Sequence, residues 1–233
     1  MVQPMNIFVL TGAGISAESG LGTFRDTSGL WTRFDPMKLA TPEAFRRDPA
    51  QVQAFYDARR ANLRASEPNA AHFALAGLQQ RMRDEGGRLY MCTQNIDDLH
   101  ERAGADPVTH MHGELFKARC TGCEAVLVWR EDLGGARCEA CGAGLRPHVV
   151  WFGETPLEMD AIYAALEEAD LFVAIGTSGS VYPAAGFVAE ARRAGIRTCE
   201  LNLEPSDNAR AFDERRYGPA SEIVPAWAER MLT

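Results

Sequence analysis

Four short runs of the chain carry apolar residues on both of their faces. Residues 6–10 (NIFVL), 88–95 (RLYMCTQN), 170–178 (DLFVAIGTS) and 198–203 (TCELNL) keep hydrophobic side chains nearly continuous instead of placing them at every second position. A strand with one wet face alternates; a strand without alternation is covered on both sides, as in a parallel sheet between helical layers. Between these runs, segments 69–83, 158–168 and 183–194 show the 3.6-residue period of helices with one apolar face. The alternation predicts an α/β fold, a doubly wound parallel sheet.

Two segments fall outside that alternation: a helical stretch from about Thr41 to Leu63, and a cysteine-bearing stretch from about Phe116 to Arg146. They read as insertions that build a smaller domain from residues 36–65 and 116–146, leaving 1–35, 66–115 and 147–233 to the main domain. Within the first insertion, the segment FYDARRANLR places Val52, Phe55, Tyr56, Arg59 and Leu63 on one face, with Arg60 and Arg64 on the flank. Arg59 thus occupies a slot suited to a hydrophobe. A guanidinium drawn out of water needs a partner, so it either pairs with an internal carboxylate or awaits an anion from outside.

With 46% hydrophobic residues among 233, the chain can bury the core of one medium domain with a small appendage. No apolar run reaches 18 residues and the opening MVQPMNIFVL has neither a basic leader nor a small-residue cleavage site, so a soluble cytoplasmic protein with no membrane partner is expected. A net charge of −8 favours a cationic partner over nucleic acid or anionic lipid.

Of six cysteines, Cys92 and Cys199 sit singly in strand-like runs and read as buried thiols, whereas Cys120, Cys123, Cys138 and Cys141 form C-x2-C-x14-C-x2-C. Two such knuckles supply four thiolates to one tetrahedral zinc with no open position, hence a structural ion, one per chain. From 116 to 146 five basic residues stand against four acidic ones, which is no footprint for a phosphate backbone.

After the first strand comes TGAGISAES, where Gly12, Gly14 and Ala17 satisfy G-x-G-x-x-G/A between a strand and a helix start. Such a turn brings backbone N–H groups against a pyrophosphate. An acidic residue ending a second strand some twenty positions on is missing, which disfavours an ordinary dehydrogenase.

The stretches TGAGISAESGLGTFRD, TQNIDDLHERAG, HMHGEL, GTSGSVYPAAG and NLEPS, in this order around a four-cysteine ribbon, resemble the sirtuin family of NAD-dependent protein-lysine deacylases over about Asn6 to Ala220. A departure is Gly22, where the family commonly has proline. The resemblance implies a Rossmann-like domain with NAD, a co-substrate, lying against the zinc-bearing domain. Gly12, Ala13, Gly14 and Ala17 would hold phosphates, and Phe24 and Arg25 would cover the nicotinamide ribose. Gln94, Asn95, Ile96 and Asp97 would follow, Asn95 with a catalytic role at ribose and water. Gly176, Thr177 and Ser178 would line phosphate and ribose, Asn202, Leu203 and Glu204 the adenosine side, and Ala220 the adenine.

Of the five histidines, His112 matches the family's catalytic base, a task that suits an imidazole because its free pKa lies near operating pH. His72, His100, His110 and His148 take the structural reading. The implied reaction transfers the acyl group of an acyl-lysine protein or peptide to ADP-ribose, releasing nicotinamide, lysine and an O-acyl-ADP-ribose. The peptide would lie as an added strand between a segment with Val150, Phe152, Gly153 and Glu154 and one with Val181 and Tyr182. In one branch of the family a Y-x-x-R pair borders the acyl pocket, and Tyr56 and Arg59 match it. The pair would receive the carboxylate of a succinyl, malonyl or glutaryl lysine, with acetyl-lysine accepted as well. Two rival functions remain at this level: protein mono-ADP-ribosyl transfer and a non-catalytic NAD-sensing zinc protein. The oligomeric state is not readable.

Overall fold

The computed structural model describes residues 5–22 and 36–232. The expected strands β1 (Asn6–Thr11), β2 (Arg88–Thr93), β7 (Leu171–Ile175) and β8 (Arg197–Asn202) lie in one six-stranded sheet, ordered β3-β2-β1-β7-β8-β9, with every pairing parallel. The edges β3 (Val108–His110) and β9 (Glu214–Tyr217) had no apolar run to announce them, because an edge strand is short and only partly covered. The remaining strands β4 (Gly113–Cys120), β5 (Val126–Val128) and β6 (Leu145–Val149) make a separate antiparallel sheet, ordered β5-β4-β6.

The helices are α1 (Ala13–Ser16), α2 (Pro36–Leu39), α3 (Pro42–Arg47), α4 (Pro49–Ala65), α5 (Ala70–Asp84), α6 (Leu99–Arg102), α7 (Met159–Glu167), α8 (Phe187–Arg193) and α9 (Ala220–Arg230). Within β1, Ile7 and Val9 join a core with Leu75, Leu78 and Met82 of α5 and Val224 and Trp227 of α9. Phe8 and Leu10 join the opposite core, with Ile162 and Leu166 of α7 and Phe187 and Val188 of α8. Each such side chain removed from water is worth roughly 1.5–3 kcal/mol, which is why the strand can be apolar throughout. The sheet order reverses between β1 and β7, and in open α/β sheets the crevice for ligands opens beyond the carboxyl ends of the strands at such a point.

The helical insertion is not one helix. Pro49 starts α4 at its first position, and the Asp48 side chain accepts the Gln51 N–H at 3.0 Å, so the chain restarts after α3. Val52, Phe55, Tyr56 and Leu63 of α4 pack with Leu115 and Phe116 of β4, Val149 and Trp151, and with Ile96 and Leu99 after β2. Helical insertion, small sheet and the β2 loop therefore share one core.

The flank position expected for Arg60 is corrected by the structure: its side chain is 0% exposed, deeper than the half-buried Arg59. The reason is a second neighbour. The ribbon loop crosses α4, where Asp57 accepts the N–H groups of Leu133 at 2.9 Å and Gly134 at 3.4 Å and Gln53 accepts that of Gly135, so the buried arc is wider than one stripe. Arg60 donates to Asp57 at 2.9 Å, while its Nε and Nη2 have no partner among the described residues. Asp57→Ala would leave that buried guanidinium without the carboxylate it donates to, with only the more distant Asp132 to oppose its charge. We expect it to lose about 3–5 kcal/mol in chemical denaturation, whereas Asp48→Ala, which removes only a cap, loses about 1 kcal/mol.

Candidate active site

The loops that follow β1 and β7 touch backbone to backbone. Gly12 N–H donates to the Ile175 carbonyl and Gly14 N–H to that of Gly176, both at 2.9 Å. A Cβ on Gly14 would lie 2.7 Å from the Gly176 Cα, and one on Gly176, whose φ is +62°, would lie 2.5 Å from the Ile15 nitrogen. Only glycine fits at either position. Ala13 and Ala17 belong to the same turn as Gly12 and Gly14. Beside them Asn202, at the end of β8, donates to the Thr177 carbonyl at 2.8 Å and accepts the Leu203 N–H, while Ser178 accepts the Asp207 N–H. Leu203 and Glu204 are exposed just beyond, and Ala220 opens α9 after β9. These residues line the carboxyl ends of the central strands; Phe24 and Arg25 lie outside the described residues.

Buried polar side chains fill the space beneath. Asn95 Nδ2 donates to the Gly12 carbonyl at 3.2 Å and to Ser16 Oγ at 3.1 Å, and its own N–H is taken by Thr93. Ser16 Oγ donates to Asp97 at 3.1 Å and lies 3.3 Å from His72 Nε2. The His72 tautomer follows from its other nitrogen, since Nδ1 accepts the Asn69 N–H in the capping box of α5, so the proton sits on Nε2 and points at Ser16. Ser16 therefore makes every bond a hydroxyl can make, accepting two and donating one. Burial raises the Asp97 carboxyl, opposed by the Leu99 N–H and Ser16. Gln94 follows β2 with its N–H on the Thr11 carbonyl, and Ile96 joins the core that holds Tyr56, Leu115 and Trp151. Sequence reasoning did not single out Ser16 or His72; the Asn69–His72 spacing of a capping box was the available signal.

The histidines separate by what their ring atoms touch. His112 donates Nδ1–H to the Gln94 carbonyl at 2.9 Å, which leaves the Nε2 lone pair without a partner among the described residues. Burial holds it below the usual imidazole range against the opposing Gln94 carbonyl, so it is neutral near pH 7. His110 sits 2.6 Å from Glu101 and 3.2 Å from the Asn95 carbonyl, both acceptors. Burial pulls it down, yet Glu101, Glu114 and the Asn95 carbonyl together outweigh burial and the net shift is upward; with an acceptor at each ring nitrogen, the doubly protonated ring is the form that bonds both, bracing the loop that carries Asn95. Nε2 of buried His100 contacts Thr11, and His148 is half-buried on β6.

Along α4, Tyr56 accepts the Trp151 indole N–H at 3.0 Å and is 1% exposed. The Arg59 guanidinium stands 5.7 Å from the Phe55 ring centre and 5.8 Å from that of Tyr56. Burial raises Tyr56, opposed by Arg59, so it is a neutral phenol near pH 7, and burial lowers Arg59, opposed by Tyr56 and Asp97. Val150 N–H bonds the His112 carbonyl and Phe152 N–H that of Ala40. Phe152, Gly153, Val181 and Tyr182 are exposed. The Glu154 carboxylate is already engaged, by Arg146 at 2.7 and 2.9 Å and by the Trp151 N–H, and its own N–H donates to the Trp151 carbonyl at 2.9 Å.

Cys120, Cys123, Cys138 and Cys141 converge, with Sγ–Sγ distances of 3.3 Å for 120–141 and 3.7 Å for 123–138. Four sulfurs about 2.3 Å from a central zinc are roughly 3.8 Å apart, so the cluster fits a closed structural site. Cys92 and Cys199 are buried, the latter pushed up to about 12 by burial.

A family model described as Sir2 family matches residues 12–183. An NAD-dependent protein deacylase of Caulobacter vibrioides is 63% identical over 234 residues, covering 98% of this chain and 97% of its own. One of Escherichia coli is 58% identical over 236 residues, covering 99% and 84%. A Sir2 homolog solved with NAD superposes with a TM-score of 0.89 at 37% identity, covering 97% of this chain and 89% of its own.

The His72 imidazole, lowered to about 4 by burial, makes stability depend on pH. Above pH 6.5 neither folded nor unfolded chain protonates it. Between 6.5 and 4 the unfolded chain binds a proton that the folded site refuses, so stability falls as pH falls, by on the order of 3 kcal/mol in all, and levels off below. His110, shifted upward, acts in the opposite sense. Denaturation midpoints from pH 7 to 4.5 should fall less steeply in His72→Gln than in the parent chain.

Proposed function

Since this chain belongs to the Sir2 family and is an NAD-dependent protein deacylase, we propose that it removes succinyl and malonyl groups, and acetyl groups besides, from lysine side chains of proteins. The observation that carries the acyl preference is the phenol of Tyr56 and the guanidinium of Arg59 held side by side, three positions apart on α4, in the core that borders the loop after β2. Together they offer one neutral and one cationic donor to a carboxylate at the end of an acyl chain. An acetyl group presents no such charge.

NAD, when bound, supplies the ribose carbon that takes up the acyl oxygen as nicotinamide leaves. The loops at Gly12–Ala17 and Gly176–Ser178 hold its phosphates, and Asn202, Leu203, Glu204 and Ala220 the adenosine end. Asn95 and Asp97, fixed by Ser16, orient the nicotinamide half. His112 takes a proton at Nε2 from a hydroxyl of the bound co-substrate, because its Nδ1–H is committed to Gln94. Phe152, Gly153 and Glu154 on one side and Val181 and Tyr182 on the other receive the peptide backbone. Residues 36–65 and 116–146 act as one small domain, with zinc closing the ribbon away from the chemistry. No helix among the described residues is long and apolar enough to cross a membrane, and a cytoplasmic location suits the thiolate zinc site.

General base catalysis is worth ~10²- to 10⁴-fold in rate. His112→Ala should lose that much deacylation while His110→Ala loses less; equal losses would move the base elsewhere. Arg59→Met keeps the stem and removes charge-assisted bonds of roughly 1.5–3 kcal/mol, about 10- to 150-fold in kcat/KM for succinyl-lysine. Acetyl-lysine turnover should change far less. A parallel loss on both peptides with a lower Tm would mean that Arg59 serves an internal carboxylate and would refute the dicarboxylyl reading.

A further inference from the structure

Tyr56 and Trp151 are both nearly sealed from solvent, at 1% and 2% exposure, and are joined by a single bond of 3.0 Å between the indole nitrogen and the phenol oxygen. The direction of that bond is fixed by chemistry. An indole N–H can only donate, whereas a phenol oxygen accepts through its lone pairs and has one proton to give. Tyr56 must therefore accept from Trp151, and its own proton cannot be spent there. Beside the ring stands Arg59, whose guanidinium also only donates. Among the described residues no other hydrogen bond of the phenol is present. The phenol O–H is thus a donor not spent on the indole, standing beside a guanidinium, and a neutral and a cationic donor together suit a carboxylate.

We propose that Trp151 is a positioning residue for acyl groups that end in a carboxylate: its N–H, given to the Tyr56 oxygen, keeps the phenol proton for the substrate. The proposal rests on the dicarboxylyl reading of Tyr56 and Arg59. Donation to the phenol oxygen also polarises the O–H and strengthens it as a donor. The indole itself is held from several sides. Arg146 lies 3.5 Å above its ring centre, fastened to Glu154 and, at 2.8 Å, to the Val149 carbonyl, and the Phe45 ring stands 5.2 Å away. Trp151 is also flanked by Val150 and Phe152, in the segment assigned to the peptide backbone. One side chain thus links the place where the peptide docks to the place where its acyl end is read.

The test is steady-state kinetics on a succinyl-lysine and an acetyl-lysine peptide of the same sequence. The variants are Trp151→Phe, Tyr56→Phe and the double variant, with β-(3-benzothienyl)alanine at position 151 as an isostere that keeps the indole shape and lacks the N–H. Trp151→Phe should raise KM for the succinyl peptide about 3- to 10-fold, the usual worth of one hydrogen bond, with a smaller change in kcat. The succinyl-to-acetyl ratio of kcat/KM should fall by the same factor, and the isostere should reproduce that fall. In the Tyr56→Phe background, Trp151→Phe should leave the ratio where Tyr56→Phe alone put it. An equal loss on both peptides, or a Trp151 effect that persists undiminished without the phenol, would overturn the proposal. If Tyr56→Phe lowers the ratio and neither change at 151 does, the positioning role falls and the dicarboxylyl reading stands. If Tyr56→Phe leaves the ratio untouched, both fall.

Discussion

The close approach of two backbones, after β1 and after β7, is the constraint on which the site depends. Gly14 and Gly176 lie so near that neither can carry a Cβ, and the contact occurs where the sheet order reverses. The two loops bond to each other backbone to backbone, and the peptide groups of such a glycine turn are the kind of surface that can meet a phosphate. On the other side of β1 the Asn95 side-chain amide donates to the Gly12 carbonyl and the Gln94 N–H to that of Thr11, and these bonds register the loop after β2 against the glycine turn.

From that registration the polar interior follows. Ser16 has its full set of partners in Asn95, His72 and Asp97, and a satisfied hydroxyl at 1% exposure is a rigid one. The same imidazole group is then put to different uses by its contacts alone. Paired with Glu101, His110 bonds an acceptor at each ring nitrogen; capping α5 through Nδ1, His72 is held neutral; His112, with only Nδ1 committed, has no partner for Nε2 among the described residues.

The small module is tied to this site through packing. Ile96 and Leu99, which flank Asp97 in the chain, share a core with Tyr56, Leu63, Leu115 and Trp151. The ribbon in turn grips α4 through Asp57, which holds Leu133 and Gly134 and neutralises the buried Arg60. A zinc held by four ribbon cysteines thereby contributes to where Tyr56 and Arg59 stand without approaching them, since the free energy of closing the ribbon is free energy of folding.

Much of this was legible along the chain, and the reasons are local. Continuous apolar runs mark strands buried on both faces, a C-x2-C pair brings two thiolates to one ion, and a glycine turn after a strand needs no distant partner to be recognised. The family resemblance rested on such local motifs and pointed to His112 and Asn95. What the sequence could not determine depended on neighbours remote in the chain. β9 is polar and short because it is an edge, so its run ERRY carries no strand signal. Arg60 follows Arg59 on the same wheel and looks like a flank residue, yet the ribbon loop, more than seventy positions on, covers it and leaves Arg59 only half-buried. Glu154 looked free for substrate until Arg146 was found against it, and nothing near Tyr56 in the chain announces Trp151. Periodicity records how a residue faces its own helix or strand; which second element arrives on the other side, and with what charge, is decided only when the chain has folded.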